Sequence, residues 1–382
     1  MSTDGTEIFT FGSPDAPFML RSGESLATVD VAYETYGELN AAKDNVVVVF
    51  HALTGSQHAA GITNVVPQAG DLWTDEMHNG WWDGFIGPGR AIDTDELFVV
   101  SANYLGGCYG TTGPSSINPD TGRPYGSAFP SVGICDIVDS QIRLLHHLGI
   151  TRVRAAIGGS LGGVLAMSLA TRYPDMVEIV IPIAAGRSVT ELQTFHNFEQ
   201  ITAIMSDPNF KGGDYYGGPA PLDGLRLARM IGHKTFVSLS ALAERAQAEV
   251  REGQGPSGYE LTSNLESYMW HQGTKFTSRF DANTYLRIME VWQTFDLRAE
   301  AHVDTFDELF ARSVYQRYMV FSIDSDVCFY PDQQRTLAAA LKRAGVSYRH
   351  ITVHSEKGHD SFLLEPRLFA PHLRDTLLNP WH

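Results

Sequence analysis

The chain is poor in cysteine, short of positive charge and without any long apolar run, and each shortage excludes a class of protein. Its three cysteines, Cys108, Cys135 and Cys328, are odd in number and far apart in 382 residues. No disulfide framework can be laid through them, and the pattern suits buried thiols in a reducing compartment. Lysine and arginine total 28 against 44 aspartates and glutamates, a formal net charge of −16. Nucleic acid and anionic membrane would both repel that surplus, so neither is expected as a partner. No apolar stretch is long enough to span a bilayer. The start, Met1 to Glu7, is polar and acidic where a secretory signal would be basic and then apolar. A cytoplasmic location is therefore the expectation. No spacing of histidine, cysteine and carboxylate suggests a metal site, and none is expected.

What is present has the composition of an ordinary globular protein, with 43% hydrophobic and 19% charged residues. The length allows one large α/β domain with an insertion, or two domains. Strand-type segments, among them Val29–Tyr33, fill the region from 8 to 45. Val46–Phe50 is a continuous apolar run too short for a helix, which predicts a buried central strand. Leu97–Ser101 predicts another. The small-residue run from Asn103 to Ser116 lacks the lysine and the following helix of a nucleotide P-loop. It is read either as a cradle for a phosphate or pantetheine arm, or as a tightly packed loop that shapes a pocket. Apolar positions from Ile134 to Leu148 recur at helical spacing.

The stretch Val153 to Ala166 organises the rest. It begins as a strand and ends as an Ala/Leu/Met helix, with Ser160 between glycines at the join. That is a G-x-S-x-G nucleophile elbow in its proper strand–turn–helix context. A serine on so sharp a turn needs neighbours without Cβ atoms. The turn leaves the Leu161 amide at a helix N-terminus, aimed where an oxyanion would form. In such folds the loop after an early buried strand supplies the second amide, here Leu53 in His51–Gly55.

From about Gly186 to Leu309 the strand–helix alternation gives way to long helical segments, read as a lid inserted over the site. The expected organisation is a core part over 1–185, the lid over 186–309 and a second core part over 310–382. Within the lid, Arg229 lies on an otherwise apolar helix. It could grip a substrate carboxylate or hold the lid through a salt bridge. Strands resume at Tyr318–Ile323 and Tyr348–Val353, and each runs into a polar loop. Asp326 follows the first and His359 the second, completing the order Ser, Asp, His. Asp324 is the rival acid. His51, His146, His147 and His354 have no nucleophile partner by position.

Taken together, His51–Gly55, Asn103–Pro114, Gly158–Gly163, Gly212–Tyr216, Ala228–Gly232, Phe280–Leu286 and Gly358–Asp360 resemble the motifs of homoserine O-acetyltransferases. The resemblance implies an α/β-hydrolase fold with a mostly parallel central sheet and an inserted helical lid. It also implies ping-pong acetyl transfer from acetyl-CoA to L-homoserine, a step of methionine synthesis, with no permanently bound cofactor. Ser160, Asp326 and His359 would be the triad and Leu53 and Leu161 the oxyanion donors. Arg229 and Asp360 would hold the acceptor's carboxylate and ammonium. Lid helices would pair two subunits into a homodimer. Phe236 stands where many members carry tyrosine. A succinyl donor, serine or another alcohol as acceptor, and an esterase of the same fold are the alternatives.

Overall fold

Alternation along short apolar runs explains the architecture. In Val46–Phe50 every residue is buried, yet the side chains divide between two cores. Val46, Val48 and Phe50 join the cluster that contains Leu144, Leu145 and Leu165. Val47 and Val49 join the one that contains Phe369, Leu373 and Leu377. A strand with both faces covered must lie inside a helix–sheet–helix sandwich, and burial of each such side chain contributes about 1.5–3 kcal/mol.

The computed structural model describes residues 5–248, 255–256 and 259–379. The polar start (1–4), parts of the expected lid (249–254 and 257–258) and the chain end (380–382) lie outside the described residues. The main strands are β1 (Glu7–Phe11), β2 (Val29–Tyr36), β3 (Val46–Phe50), β4 (Phe98–Ala102), β5 (Val153–Gly159), β6 (Val177–Ile183), β7 (Arg317–Ile323) and β8 (Ser347–Val353). They form one eight-stranded sheet in the order β1-β2-β4-β3-β5-β6-β7-β8. β1 and β2 are antiparallel additions, and the strands from β4 through β8 run parallel.

Helix α1 (Ile134–His147) starts where the Asp136 carboxylate accepts the Gly133 amide at 2.7 Å. α2 (Leu161–Arg172) follows the elbow, and its apolar flank is buried throughout. Between β6 and β7 come α3 (Glu191–Met205), α4 (Leu222–Phe236), α5 (Leu239–Ala248), α6 (Asn264–Thr277), α7 (Ala282–Thr294), α8 (Leu297–Ala301) and α9 (Phe306–Ala311). Thr190 with Gln193 and Ser263 with Glu266 form capping boxes that fix the starts of α3 and α6. α3 packs on α4 and α7, and α6 on α4 and α5, whereas α8 and α9 lie against α2 and α10 (Pro331–Arg343). The chain closes with α11 (Ser361–Leu364) and α12 (Pro366–Leu378), the latter on the opposite face of the sheet from α2.

Because β3, β5, β6, β7 and β8 are parallel, their carboxyl ends share one edge of the sheet. Loops leaving that edge carry Leu53, Ser160, Asp326 and His359. The helices after β6 reach the same edge. α4 ends where the Phe236 carbonyl accepts the Asp360 amide at 2.9 Å and the Lys357 carbonyl accepts the Ser238 amide at 3.3 Å.

Candidate active site

Ser160 holds φ 58° and ψ −127°, a conformation that costs a non-glycine residue of order 1–3 kcal/mol. The surrounding packing imposes it. The Ser160 amide donates to Ile183 O on β6 at 2.8 Å. A Cβ on Gly162 would lie 2.2 Å from Phe50 O, and one on Gly158 would lie 2.2 Å from the Gly162 carbonyl carbon. Any side chain at either position would push β3, β5 and α2 apart. The Leu161 amide is the first of α2 and has no intrahelical partner. On the other side of the site Leu53 sits in the turn after β3, and among the described residues its amide enters no backbone hydrogen bond. His51 braces that turn. Its ring is stacked on Tyr104 at 3.6 Å, with Nδ1 2.7 Å from Ala52 O and Nε2 3.2 Å from Asn103 Oδ1. Burial pushes this imidazole down to about 4, so it is a neutral strut.

Asp326 and His359 meet. Nδ1 of His359 donates to Asp326 Oδ2 at 2.7 Å, while Asp326 Oδ1 accepts the amides of Cys328 and Phe329 at 2.8 and 2.9 Å. Both residues are buried. Asp324, the rival acid, is engaged elsewhere: it accepts from His354 Nδ1 at 2.8 Å and from the Ser355 amide. The His359 ring lies flat against Phe329 and edge-on to Phe362. Its Nε2 is buried and makes no hydrogen bond among the described residues. Burial opposes protonation of this ring, but the Asp326 carboxylate, helped by Asp360, outweighs it and raises the pKa above the ordinary imidazole value.

Arg229 and Asp360 are both partly buried, and among the described residues neither forms a hydrogen bond through its charged group or a close ion pair. The salt bridge that would hold the lid through Arg229 is absent among those residues. Instead its guanidinium lies 4.7 Å from the Phe276 ring centroid and 5.4 Å from that of Phe236, aromatic faces that favour a cation. Burial, then the nearby Arg279, pulls the Arg229 pKa down. Burial raises that of Asp360, against the opposing pull of His359 and Arg229. Arg229 and Asp360 thus act on each other, with Asp360 beside the imidazole, and neither charged group has a hydrogen bond among the described residues.

The Asn103–Ser116 run is pinned to β2, and its Cys108, Gly110 and Ser115 also line a cavity of about 340 Å³. Its Thr111 and Thr112 hydroxyls accept the amides of Ala32 and Asp30, and its backbone pairs with β2. Gly212–Tyr216 and Phe280–Leu286 lock onto each other: Asp281 accepts the hydroxyls of Tyr215 and Tyr216 at 2.6 and 2.9 Å, and Asn283 donates to Gly213 O. Sequence reasoning missed Glu76, which pairs with Arg279 at 2.6 Å and with Lys275. Arg279 also donates to Thr54 O, tying the lid to the loop that carries Leu53. An acidic residue 199 and 203 positions from its two partners leaves no local pattern to find. Among the described residues no group of acidic, histidine and cysteine side chains could hold a metal ion, and no helix is long and apolar enough to cross a membrane.

Residues 45–366 match the α/β-hydrolase-fold family model. The homoserine O-acetyltransferase of Solidesulfovibrio magneticus is 41% identical over 94% of this chain and 88% of its own length. A homoserine O-succinyltransferase of Azoarcus sp. is 43% identical over 96% of this chain and 94% of its own. Among solved structures, esterase E22 superposes with TM-score 0.86 at 28% identity, covering 97% of this chain and all of that one. The homoserine O-acetyltransferase of Bacillus anthracis does so with TM-score 0.85 at 25% identity, covering 98% of each. With the eight-stranded sheet, the strained serine and the Asp–His pair on one edge, these likenesses establish that the chain belongs to the homoserine O-acetyltransferase family of the α/β-hydrolase fold.

Proposed function

We propose that the protein transfers an acetyl group from acetyl-CoA to the γ-hydroxyl of L-homoserine, a step toward methionine. Ser160 Oγ attacks the thioester carbonyl and gives its proton to His359 Nε2, while Asp326 holds the ring and steadies its positive charge. The Leu53 and Leu161 amides receive the oxyanion. The tetrahedral centre collapses, the C–S bond breaks, and His359 returns the proton to the leaving thiolate. The homoserine hydroxyl then attacks acetyl-Ser160, its proton passing to His359 and on to Ser160 as the ester leaves.

One observation carries the choice of acceptor. Arg229 and Asp360, of opposite charge and without a close polar partner among the described residues, match the carboxylate and ammonium of a free amino acid. A simple ester offers neither charge. Helices α3 to α7 serve as the lid that keeps water from the acyl-enzyme, without which it would hydrolyse. The exposed apolar stripe of α3, with Leu192, Phe195 and Phe198, supports a homodimer through the lid. Three unbridged, buried cysteines fit a cytoplasmic protein. A succinyl donor is the second reading, favoured by relatives of equal similarity that carry that name.

The test is isolation of the intermediate. Mixing enzyme with acetyl-CoA and quenching before homoserine is added should add one acetyl group to the peptide bearing Ser160, and none in Ser160→Ala. An enzyme that turns over without ever carrying the acetyl group would refute the two-step scheme.

A further inference from the structure

The turn that carries Leu53 is tied to the insertion, and the tie runs through the peptide units themselves. From Ala52 to Gly55 the chain closes a turn in which the Gly55 amide donates to Ala52 O at 3.1 Å. The same oxygen lies 2.7 Å from His51 Nδ1. Thr54 O accepts from Nη1 of Arg279 at 3.3 Å. Arg279 stands between α6 and α7, and its side chain is only 13% exposed. Its Nε is 2.6 Å from Glu76 Oε1, and its guanidinium lies 4.9 Å from the Phe276 ring centroid. Nη1 is shared with the Tyr109 hydroxyl, also at 3.3 Å, and Tyr109 donates back to the Arg279 carbonyl. An arginine so held presents its N–H to Thr54 in one direction.

Peptide geometry carries that anchor onward. In a planar trans unit the C=O and the N–H that follows it are antiparallel, and both units of this turn are trans. Thr54 O shares one unit with the Gly55 N–H, and Ala52 O shares another with the Leu53 N–H. Fixing Thr54 O therefore aims the Gly55 N–H at Ala52 O, and fixing Ala52 O aims the Leu53 N–H the opposite way. Among the described residues that last N–H donates to no backbone acceptor. The series runs from Glu76 to Arg279, through two peptide units, and ends on a free donor. Hydrogen bonds in series polarise one another, more strongly where water is excluded. A cation at the head of the series draws electron density from each carbonyl in turn and makes the Leu53 N–H a better donor.

We propose that Arg279 is a positioning residue for the oxyanion hole: from the insertion, through the Thr54–Gly55 and Ala52–Leu53 peptide units, it aims and polarises the Leu53 N–H. The hole is then complete only while this part of the insertion is seated on the Leu53 turn. The inference rests on the reading of Leu53 as an oxyanion donor and adds to it what holds that donor.

Arg279→Met removes the cation at the head of the series and keeps an apolar stem against Phe276. Arg279 also acts on Arg229, so acylation is followed alone, before any acceptor is added. Acylation by acetyl-CoA and by 4-nitrophenyl acetate should slow by the same factor, roughly 10-fold, short of the loss of about 100-fold or more that follows outright removal of a donor. Loss with acetyl-CoA alone would make Arg279 a contact of the CoA moiety and overturn the proposal. The deciding readout is the infrared carbonyl band of isotope-labelled acetyl-Ser160, whose oxygen sits in the hole. Weaker hydrogen bonds should move that band to higher wavenumber in Arg279→Met. A band in the parent position, whatever the rate, would reduce Arg279 to a tie that holds the lid and overturn the proposal. Glu76→Gln leaves the arginine in place and gives the same comparison should Arg279→Met fail to fold, with a smaller shift in the same direction expected. If the unaltered enzyme takes acetyl from the ester and not from acetyl-CoA, the transferase reading falls while the ester-derived acyl-enzyme still tests the series; acylation by neither overturns both.

Discussion

At the scale of single residues the pair His359–Asp360 makes a pH prediction. His359 acts as a base only when neutral, so the rate should rise as pH passes its pKa in the folded protein. Asp326, with Asp360 behind it, holds that value above the ordinary imidazole one. Asp360→Asn removes one of the raising charges, so the acid limb of kcat/KM against pH should move to lower pH, even as affinity for homoserine falls. A limb that stays in place would show that Asp360 does not act on the imidazole. The places of Ser160, Asp326 and His359 were legible in the sequence because each follows a strand end that β-type runs reveal. Arg229 was legible as a cation on an apolar helix, but only the fold showed that it lacks a salt-bridge partner among the described residues and rests on Phe236 and Phe276. The pairing of Glu76 with Arg279 was invisible, because what joins them is the packing of distant segments.

At the scale of elements the elbow is held by close backbone approach, with β3, β5 and α2 meeting at glycines. Gly162→Ala places a methyl 2.2 Å from Phe50 O, a backbone atom that cannot turn aside. The expected cost is about 2 kcal/mol or more in urea unfolding, together with loss of activity as Ser160 shifts. Unchanged stability would mean that the β3–α2 approach is looser than described. Periodicity located the central strands and α1 and α2 to within a few residues, since their apolar faces are set by the sheet they belong to or cover. Two of the segments that carry the family resemblance, Gly212–Tyr216 and Phe280–Leu286, bind each other, a contact that their sequences do not announce. The carboxylate of Asp281 is occupied by the amide of Thr284 and the hydroxyls of Tyr215 and Tyr216. Nor could helical spacing show that α8 and α9 rest on α2 and α10 while α3 to α7 pack among themselves, because an amphipathic helix does not name its partner.

At the scale of the whole molecule, the proposed function asks a chain of net charge −16 to draw in an anionic donor and a zwitterionic acceptor, a task for local cations such as Arg229, which forms no ion pair among the described residues. Its outer surface carries one further statement. Phe195 is 67% and Phe198 63% exposed on α3, a face that stays in water unless a second subunit covers it. Phe195→Glu with Phe198→Glu should give a monomer in sedimentation velocity where the parent chain gives a dimer; two monomeric samples would remove the dimer from the account. The central claim, however, is transfer to an amino acid and not to water. Its most direct measurement is steady-state thiol release from acetyl-CoA and from succinyl-CoA, each with homoserine, serine or no acceptor. Rapid release that requires acetyl-CoA and homoserine together is the predicted result. Release at the same rate without any acceptor would contradict it and make the protein a hydrolase of the same fold.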